Sequence, residues 1–69
     1  MDRMKIAKNL VELRGKKSQA LVAKELGIAQ STYAMYEIGK RIPTDEIKIK
    51  IAEYFGKTVQ EIFFDAILA

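Results

Sequence analysis

The twenty residues QALVAKELGIAQSTYAMYEI, numbers 19–38, decide the fold. Apolar residues recur on both sides of Gly27 at the spacing of one helix face. Ser18, just before the stretch, is a residue type that caps helix N-termini. Because glycine takes positive φ without steric cost, Gly27 can turn the chain steeply between two helices. The stretch predicts two short helices, at 19–26 and at about 30–37, joined by a tight turn.

The flanking sequence repeats this pattern of caps and glycine stops. Asp2 can cap a helix over 3–14, and Thr44 a helix over 45–55. Thr58 and Glu61 form a capping box that opens a fifth short helix. Apolar residues at helical spacing predict the inner faces: Ile6, Leu10 and Leu13; Ile47, Ile51, Tyr54 and Phe55; Val59, Ile62 and Phe63. No segment alternates like a strand, so the chain is expected to be an all-α domain of five short helices spanning residues 1–69.

Composition excludes several kinds of chemistry. The 69 residues contain no cysteine and no histidine, which removes disulfides, the usual zinc ligands and a histidine base. The close acid pairs, Asp45 with Glu46 and Glu61 with Asp65, resemble first-turn helix charges. We therefore expect no enzyme activity, no metal or other cofactor and no small-molecule ligand. No apolar run reaches about 18 residues, so we expect a cytoplasmic protein without a membrane partner.

Positive charge is concentrated around the opening stretch. The net charge is +3, and residues 14–41 contain six basic side chains against Glu25 and Glu37. Clustered basic charge is typical of a polyanion-binding surface. An ordinary solvated surface would explain the charge alone equally well.

The opening stretch also satisfies the steric demands of a helix-turn-helix. Ala23 is small where two crossing helices would touch, and Gly27 lies at the turn. One outward stripe of the second helix could enter a DNA major groove, which is wide enough for a helix. That stripe consists of Gln30, Ser31, Ala34 and Met35. A plain αα-hairpin with a glycine C-cap is the alternative, and the number of matching positions disfavours it.

With these motifs the chain resembles the Cro/repressor-type helix-turn-helix family, also called the XRE family. The resemblance runs from about Ile6 to Phe64, with the helix-turn-helix at about 19–38. The motifs that carry it are LR at 13–14, SQ at 18–19, VAKELGI at 22–28, QSTYAMYEIGKR at 30–41 and IAEYFG at 51–56. The resemblance implies a lambda-repressor-like fold and a sequence-specific regulator of transcription, such as a phage or mobile-element repressor, that binds a double-stranded DNA operator.

The resemblance also implies roles for individual residues. The side chains that would face base edges are Gln30, Ser31, Ala34 and Met35. The side chains that would hold phosphates are Gln19, Lys40, Arg41 and, in part, Arg14. Arg14 and Glu37 would also form a structural pair that joins the first helix to the end of the third.

The sequence departs from the family pattern at two places. Ala20 and Leu21 stand where relatives often carry acids, and Leu21 is expected to be exposed. Ala29 occupies an N-cap position usually held by Ser or Thr, at a cost of about 1 kcal/mol in helix stability.

The C-terminal end suggests a partner surface. Domains of this kind usually bind DNA as dimers, with one protomer on each of two half-sites. Residues 58–69 would supply the homodimer interface. Its candidate side chains are Ile62, Phe64, Ile67 and Leu68. The alternative function is a protein-interaction module, such as an antitoxin or a transcription adaptor, which the apolar tail and Leu21 would suit.

Overall fold

Helices account for every regular element of the part of the chain that is described. The structure is a computed structural model, and it describes residues 2–64. The α-helices are α1 (Arg3–Arg14), α2 (Gln19–Leu26), α3 (Gln30–Glu37) and α4 (Asp45–Phe55), and a short π-helical segment follows at Gln60–Phe64. Residues 2–64 contain no strand. The prediction of an all-α fold with five helices is confirmed, and the fifth helix has π rather than α geometry.

Side-chain caps fix where most of the helices begin. Asp2 Oδ1 accepts a hydrogen bond from the Met4 N–H at 3.0 Å. Ser18 Oγ accepts one from the Leu21 N–H at 3.0 Å, and Thr44 Oγ1 one from the Ile47 N–H at 3.3 Å. These bonds satisfy N–H groups that have no partner inside a helix. Helix α3 lacks such a bond, because its N-cap is Ala29.

The turn between α2 and α3 depends on glycine. Gly27 has φ 76°, in the left-handed region. Its N–H donates to Lys24 O at 3.1 Å, and the Ile28 N–H donates to Ala23 O at 3.0 Å. This pair of bonds is a Schellman motif, which ends α2 and redirects the chain into α3.

All five elements contribute to one small core. Leu10, Val22, Tyr33 and Ile51 are fully buried, one from each α-helix. The other buried apolar side chains of this cluster are Ile6, Ala23, Leu26, Tyr36, Ala52, Ile62 and Phe63. The predicted inner faces of the helices therefore meet in the interior, with Leu13, Ile47, Tyr54, Phe55 and Val59 packed at its edge.

The π-helical segment is attached to α1 by a long-range hydrogen bond. Asn9 donates from Nδ2 to Ile62 O at 2.8 Å, across 53 positions of sequence. The capping box predicted at Thr58 and Glu61 is present, with both reciprocal bonds at 3.0 Å. None of the helices within residues 2–64 is long and apolar enough to cross a membrane.

Candidate nucleic-acid interface

Helix α3 has one face in the core and the other in solvent. Tyr33, Tyr36 and Glu37 are buried. The residues that the sequence assigned to base readout lie on the opposite side: Gln30, Ser31 and Met35 are exposed, and Ala34 is half-buried. A helix held this way presents a continuous stripe of side chains, which is the arrangement that reading a major groove requires.

A buried carboxylate fixes α3 to the rest of the domain. Glu37 Oε2 accepts from Arg14 Nε at 2.7 Å, and Glu37 Oε1 accepts from Arg14 Nη2 at 3.0 Å. Gln19 Nε2 donates to the same Oε1 at 2.8 Å. The Glu37 side chain is 2% exposed and that of Arg14 is 21% exposed. One carboxylate therefore links the end of α1, the start of α2 and the last turn of α3.

Two opposing effects set the pKa of Glu37. Burial raises the pKa of this carboxyl, and the hydrogen bonds from Arg14 and Gln19 lower it by more, so that the pKa lies below its ordinary value. The hydrogen bond to Glu37 likewise raises the pKa of the Arg14 guanidinium against the opposing effect of burial. Both groups are charged at neutral pH, and their two-pronged contact is the strong form of an ion pair.

Tyr33 is buried close to this ion pair. Its hydroxyl is buried and has no hydrogen-bond partner in the described part of the chain. Burial and then the nearby Glu37 carboxylate raise the pKa of the Tyr33 phenol. The phenol therefore stays neutral at physiological pH, and the charged groups of this cluster are Arg14 and Glu37.

Two exposed basic side chains follow the last turn of α3. The Lys40 N–H donates to Met35 O at 3.0 Å and the Gly39 N–H to Tyr36 O at 3.3 Å. This is again a Schellman motif, and Gly39 has φ 77°. The backbone of Lys40 is thereby fixed against the end of α3, while the side chains of Lys40 and Arg41 extend into solvent. Neither side chain is in an ion pair within residues 2–64.

Two of the residues predicted to contact phosphates already have partners within the domain. Gln19 is half-buried, and its Nε2 is directed at Glu37. Arg14 also donates from Nη1 to Lys17 O at 2.7 Å, so its guanidinium holds the loop as well as Glu37. Phosphate contacts by these side chains stay predictions, and the backbone N–H groups at the start of α2 are the donors that best fit that role.

The predicted dimer surface needs a correction at one residue. Ile62 is 2% exposed and belongs to the core, so its side chain is not available at a surface. The hydrophobic pattern could not separate this role from an interface role, because both bury an apolar side chain. Phe64 is half-buried, packed at the edge of the core, with Lys48 Nζ 5.8 Å from the centre of its ring. Ile67 and Leu68 lie outside the described residues.

Sequence reasoning missed one exposed side chain at the C-cap of α3, next to its outer face. Ile38 is 56% exposed, more than Met35 at 39%. It stands seven residues after Ser31, so helical periodicity could have placed it on the same stripe. Apart from the pair of Arg14 and Glu37, sequence reasoning also missed the contacts that join distant segments. In one of them Lys17 donates to Tyr54 Oη at 2.9 Å, and Tyr54 in turn donates to Glu25.

Comparisons with known proteins agree with this geometry. A sequence model of the helix-turn-helix family matches residues 8–62. The HTH-type transcriptional regulator AnsR of Bacillus subtilis is 47% identical over 55 residues, covering 77% of this chain and 47% of that protein. The cryptic phage CTXphi transcriptional repressor RstR of Vibrio cholerae is 38% identical over 61 residues, covering 86% of this chain and 54% of that protein.

A third relative is matched over a larger share of its own length. An uncharacterized HTH-type transcriptional regulator of Methanocaldococcus jannaschii is 37% identical over 46 residues, covering 67% of this chain and 70% of that protein. No solved structure matches the chain. The chain belongs to the helix-turn-helix family, and the resemblance to its Cro/repressor (XRE) type is confirmed. It spans about half the length of the first two relatives.

Proposed function

We propose that this protein is a sequence-specific regulator of transcription that binds double-stranded operator DNA through α3. The observation that carries the proposal is the outer stripe of α3, whose polar members Gln30 and Ser31 are exposed on a helix anchored by the buried Glu37. Family membership supports the same role. A binding role rather than catalysis, and a place in the cytoplasm with the DNA, are parts of this proposal.

In the proposed complex, α3 lies in the major groove with its first turn against the bases. Gln30 can donate to N7 and accept from N6 of adenine, which is the pairing that discriminates this base. Ser31 can bond either a donor or an acceptor, while Ala34 and Met35 offer apolar contact. Lys40 and Arg41 then contact phosphates beyond the end of α3, and the N-terminus of α2 meets another phosphate.

The proposed assembly is a homodimer on a two-fold-symmetric site. A single recognition helix covers few base pairs, and two half-sites about 34 Å apart would place one protomer on each successive turn of DNA. Residues 58–69 are the proposed contact, without the side chain of Ile62. Occupying an operator would block transcription, and a relative named as a phage repressor supports this direction of regulation.

Selection from random-sequence duplex DNA tests the proposal. We expect an enriched site with two-fold symmetry, and affinity that falls steeply with salt. Each phosphate contact contributes about 0.9 to the slope of log affinity against log salt, so replacing both Lys40 and Arg41 with glutamine should reduce the slope by about 1.8.

A matched pair of lysines provides the control. Lys50 and Lys57 are exposed, and Lys50→Gln with Lys57→Gln removes the same charge elsewhere on the surface. An equal loss of slope in this control would contradict the assignment of Lys40 and Arg41 to phosphates. If no sequence is enriched over random DNA, the proposed function itself is wrong.

The exposure of Leu21 favours a second candidate, a protein-interaction module. Leu21 lies near the start of α2 and is 42% exposed. A protein partner could cover this apolar side chain. Retention of a protein complex by a variant that has lost DNA binding would support this candidate over the first.

A further inference from the structure

We propose that Ile38 is a further specificity-determining residue, which reads the methyl group of a thymine at the end of the α3 footprint. This inference rests on the proposed function, since it names a chemical feature of the DNA that the same surface recognises. It starts from the exposed isoleucine that ends the outer stripe of α3. Ile38 is 56% exposed, whereas Ile28 and Ile42, the isoleucines before and after it in the sequence, are half-buried.

The backbone keeps Ile38 in register with the readout stripe. Ile38 is the C-cap of α3, with φ −103° and ψ 3°, and its N–H donates to Ala34 O at 3.2 Å, so the helical hydrogen bonds reach this residue although the chain leaves the helix here. At about 100° per residue, seven positions bring Ile38 to within about 20° of the direction of Ser31. Ile38 therefore lies on the line between Ala34 and Met35, about 10 Å further along the helix than Ser31.

The second half of the stripe is apolar. Gln30 and Ser31 begin it with hydrogen-bonding groups, whereas Ala34, Met35 and Ile38 have none to offer a base. In the major groove the thymine C5-methyl group is the base feature that apolar side chains recognise. A stripe about 10 Å long spans about three base-pair steps, so Ile38 would meet a different base pair from Ser31.

Charge at the end of α3 favours DNA as the partner that covers Ile38. The next residues after Gly39 are the exposed Lys40 and Arg41, and Lys40 is fixed by its bond to Met35 O. Basic side chains beside an apolar patch are complementary to DNA, in which phosphates flank a major groove that exposes thymine methyl groups. Ile38 also stands between Met35 and Lys40 in the sequence, so it continues the DNA interface proposed above.

The test removes the methyl group from the DNA and the side chain from the protein. Each thymine of the selected duplex is replaced in turn by uracil, which lacks only the C5-methyl group. Affinity is measured for the natural protein, for Ile38→Ala and for Ile49→Ala. Ile49 lies on α4 and is 53% exposed, so the control removes an equally exposed isoleucine from another helix.

At one thymine in each half-site, we expect replacement by uracil to weaken binding of the natural protein about four-fold. This factor corresponds to the free energy of burying one methyl group. Ile38→Ala should weaken binding to the thymine duplex by at least as much and should no longer respond to uracil at that position. It should still respond at other thymines. Ile49→Ala should behave like the natural protein throughout.

Two results would overturn the inference while leaving the proposed function intact. The first is an enriched site at which Ile38→Ala and the natural protein respond identically to every uracil. The second is an Ile38→Ala protein that binds every duplex normally but self-associates less, which would assign the residue to a contact between copies of this chain. Failure to enrich any site would instead refute the proposed function.

Discussion

Replacing the buried Glu37 with glutamine should destabilise the domain strongly at neutral pH. The carboxylate accepts hydrogen bonds from Arg14 Nε, Arg14 Nη2 and Gln19 Nε2. Glutamine has nearly the same shape but only one acceptor oxygen, and its NH₂ group would face donors. The substitution also leaves the guanidinium of Arg14 without its counter-ion in a partly desolvated position.

The size of the effect follows from the burial of the pair. Removing one partner of a buried ion pair costs about 3–5 kcal/mol. The Arg14 side chain is 21% exposed and also donates to Lys17 O, so it would not be left wholly without a partner. The expected loss of stability therefore lies near the lower end of that range, at about 3 kcal/mol. A chain of 69 residues has a total stability of about 3–10 kcal/mol, so Glu37→Gln should leave only a narrow margin of stability.

Urea denaturation followed by circular dichroism, from pH 7 to pH 3, measures both the loss and its electrostatic origin. The pKa of Glu37 is lower in the folded state than in the unfolded state, where it is about 4.3. Its charge therefore stabilises the fold above the unfolded pKa, and this contribution is lost as the pH falls through the folded pKa. The difference in free energy of unfolding between the natural protein and Glu37→Gln should therefore become smaller below about pH 4.

Exposed Glu53 on α4 supplies the control, because Glu53→Gln makes the same chemical change in solvent. It should alter stability by less than about 0.5 kcal/mol. A loss of under about 1 kcal/mol for Glu37→Gln would refute the assigned strength of the pair. If the difference in free energy of unfolding between the natural protein and Glu37→Gln stays constant between pH 7 and pH 3, the charge of Glu37 is not the source of that difference.

Two further substitutions test how α2 and α3 are held. Ala29→Ser should stabilise the domain by about 1 kcal/mol, because Ala29 has N-cap geometry and no side-chain acceptor for the first turn of α3. Unchanged stability in urea would mean that water or the turn already satisfies those N–H groups. Gly27→Ala should cost about 1 kcal/mol through backbone strain alone, since φ is 76° and an added Cβ would meet nothing within 4 Å. An unchanged midpoint of unfolding would contradict the need for a left-handed residue at this turn.

Local features of the sequence determined the helices and their faces. The bounds of all the α-helices, the caps at Ser18 and Thr44, and the missing cap at Ala29 follow from residues within one turn of each other. The outer stripe of α3 followed from the same periodicity. Such features can be read from sequence because helical hydrogen bonds and caps join residues a few positions apart.

The resemblance implied the pair of Arg14 and Glu37, but tertiary structure alone decided the other long-range partners of polar side chains and the burial of particular apolar side chains. Gln19 reaches Glu37 across 18 positions and Asn9 reaches Ile62 O across 53. Ile62 is buried in the core and Ile38 is exposed, although both are isoleucines in or next to a short helical segment. Periodicity gives the direction of a side chain from its own helix, but only the packing of the other helices decides whether that direction leads into the core or into solvent.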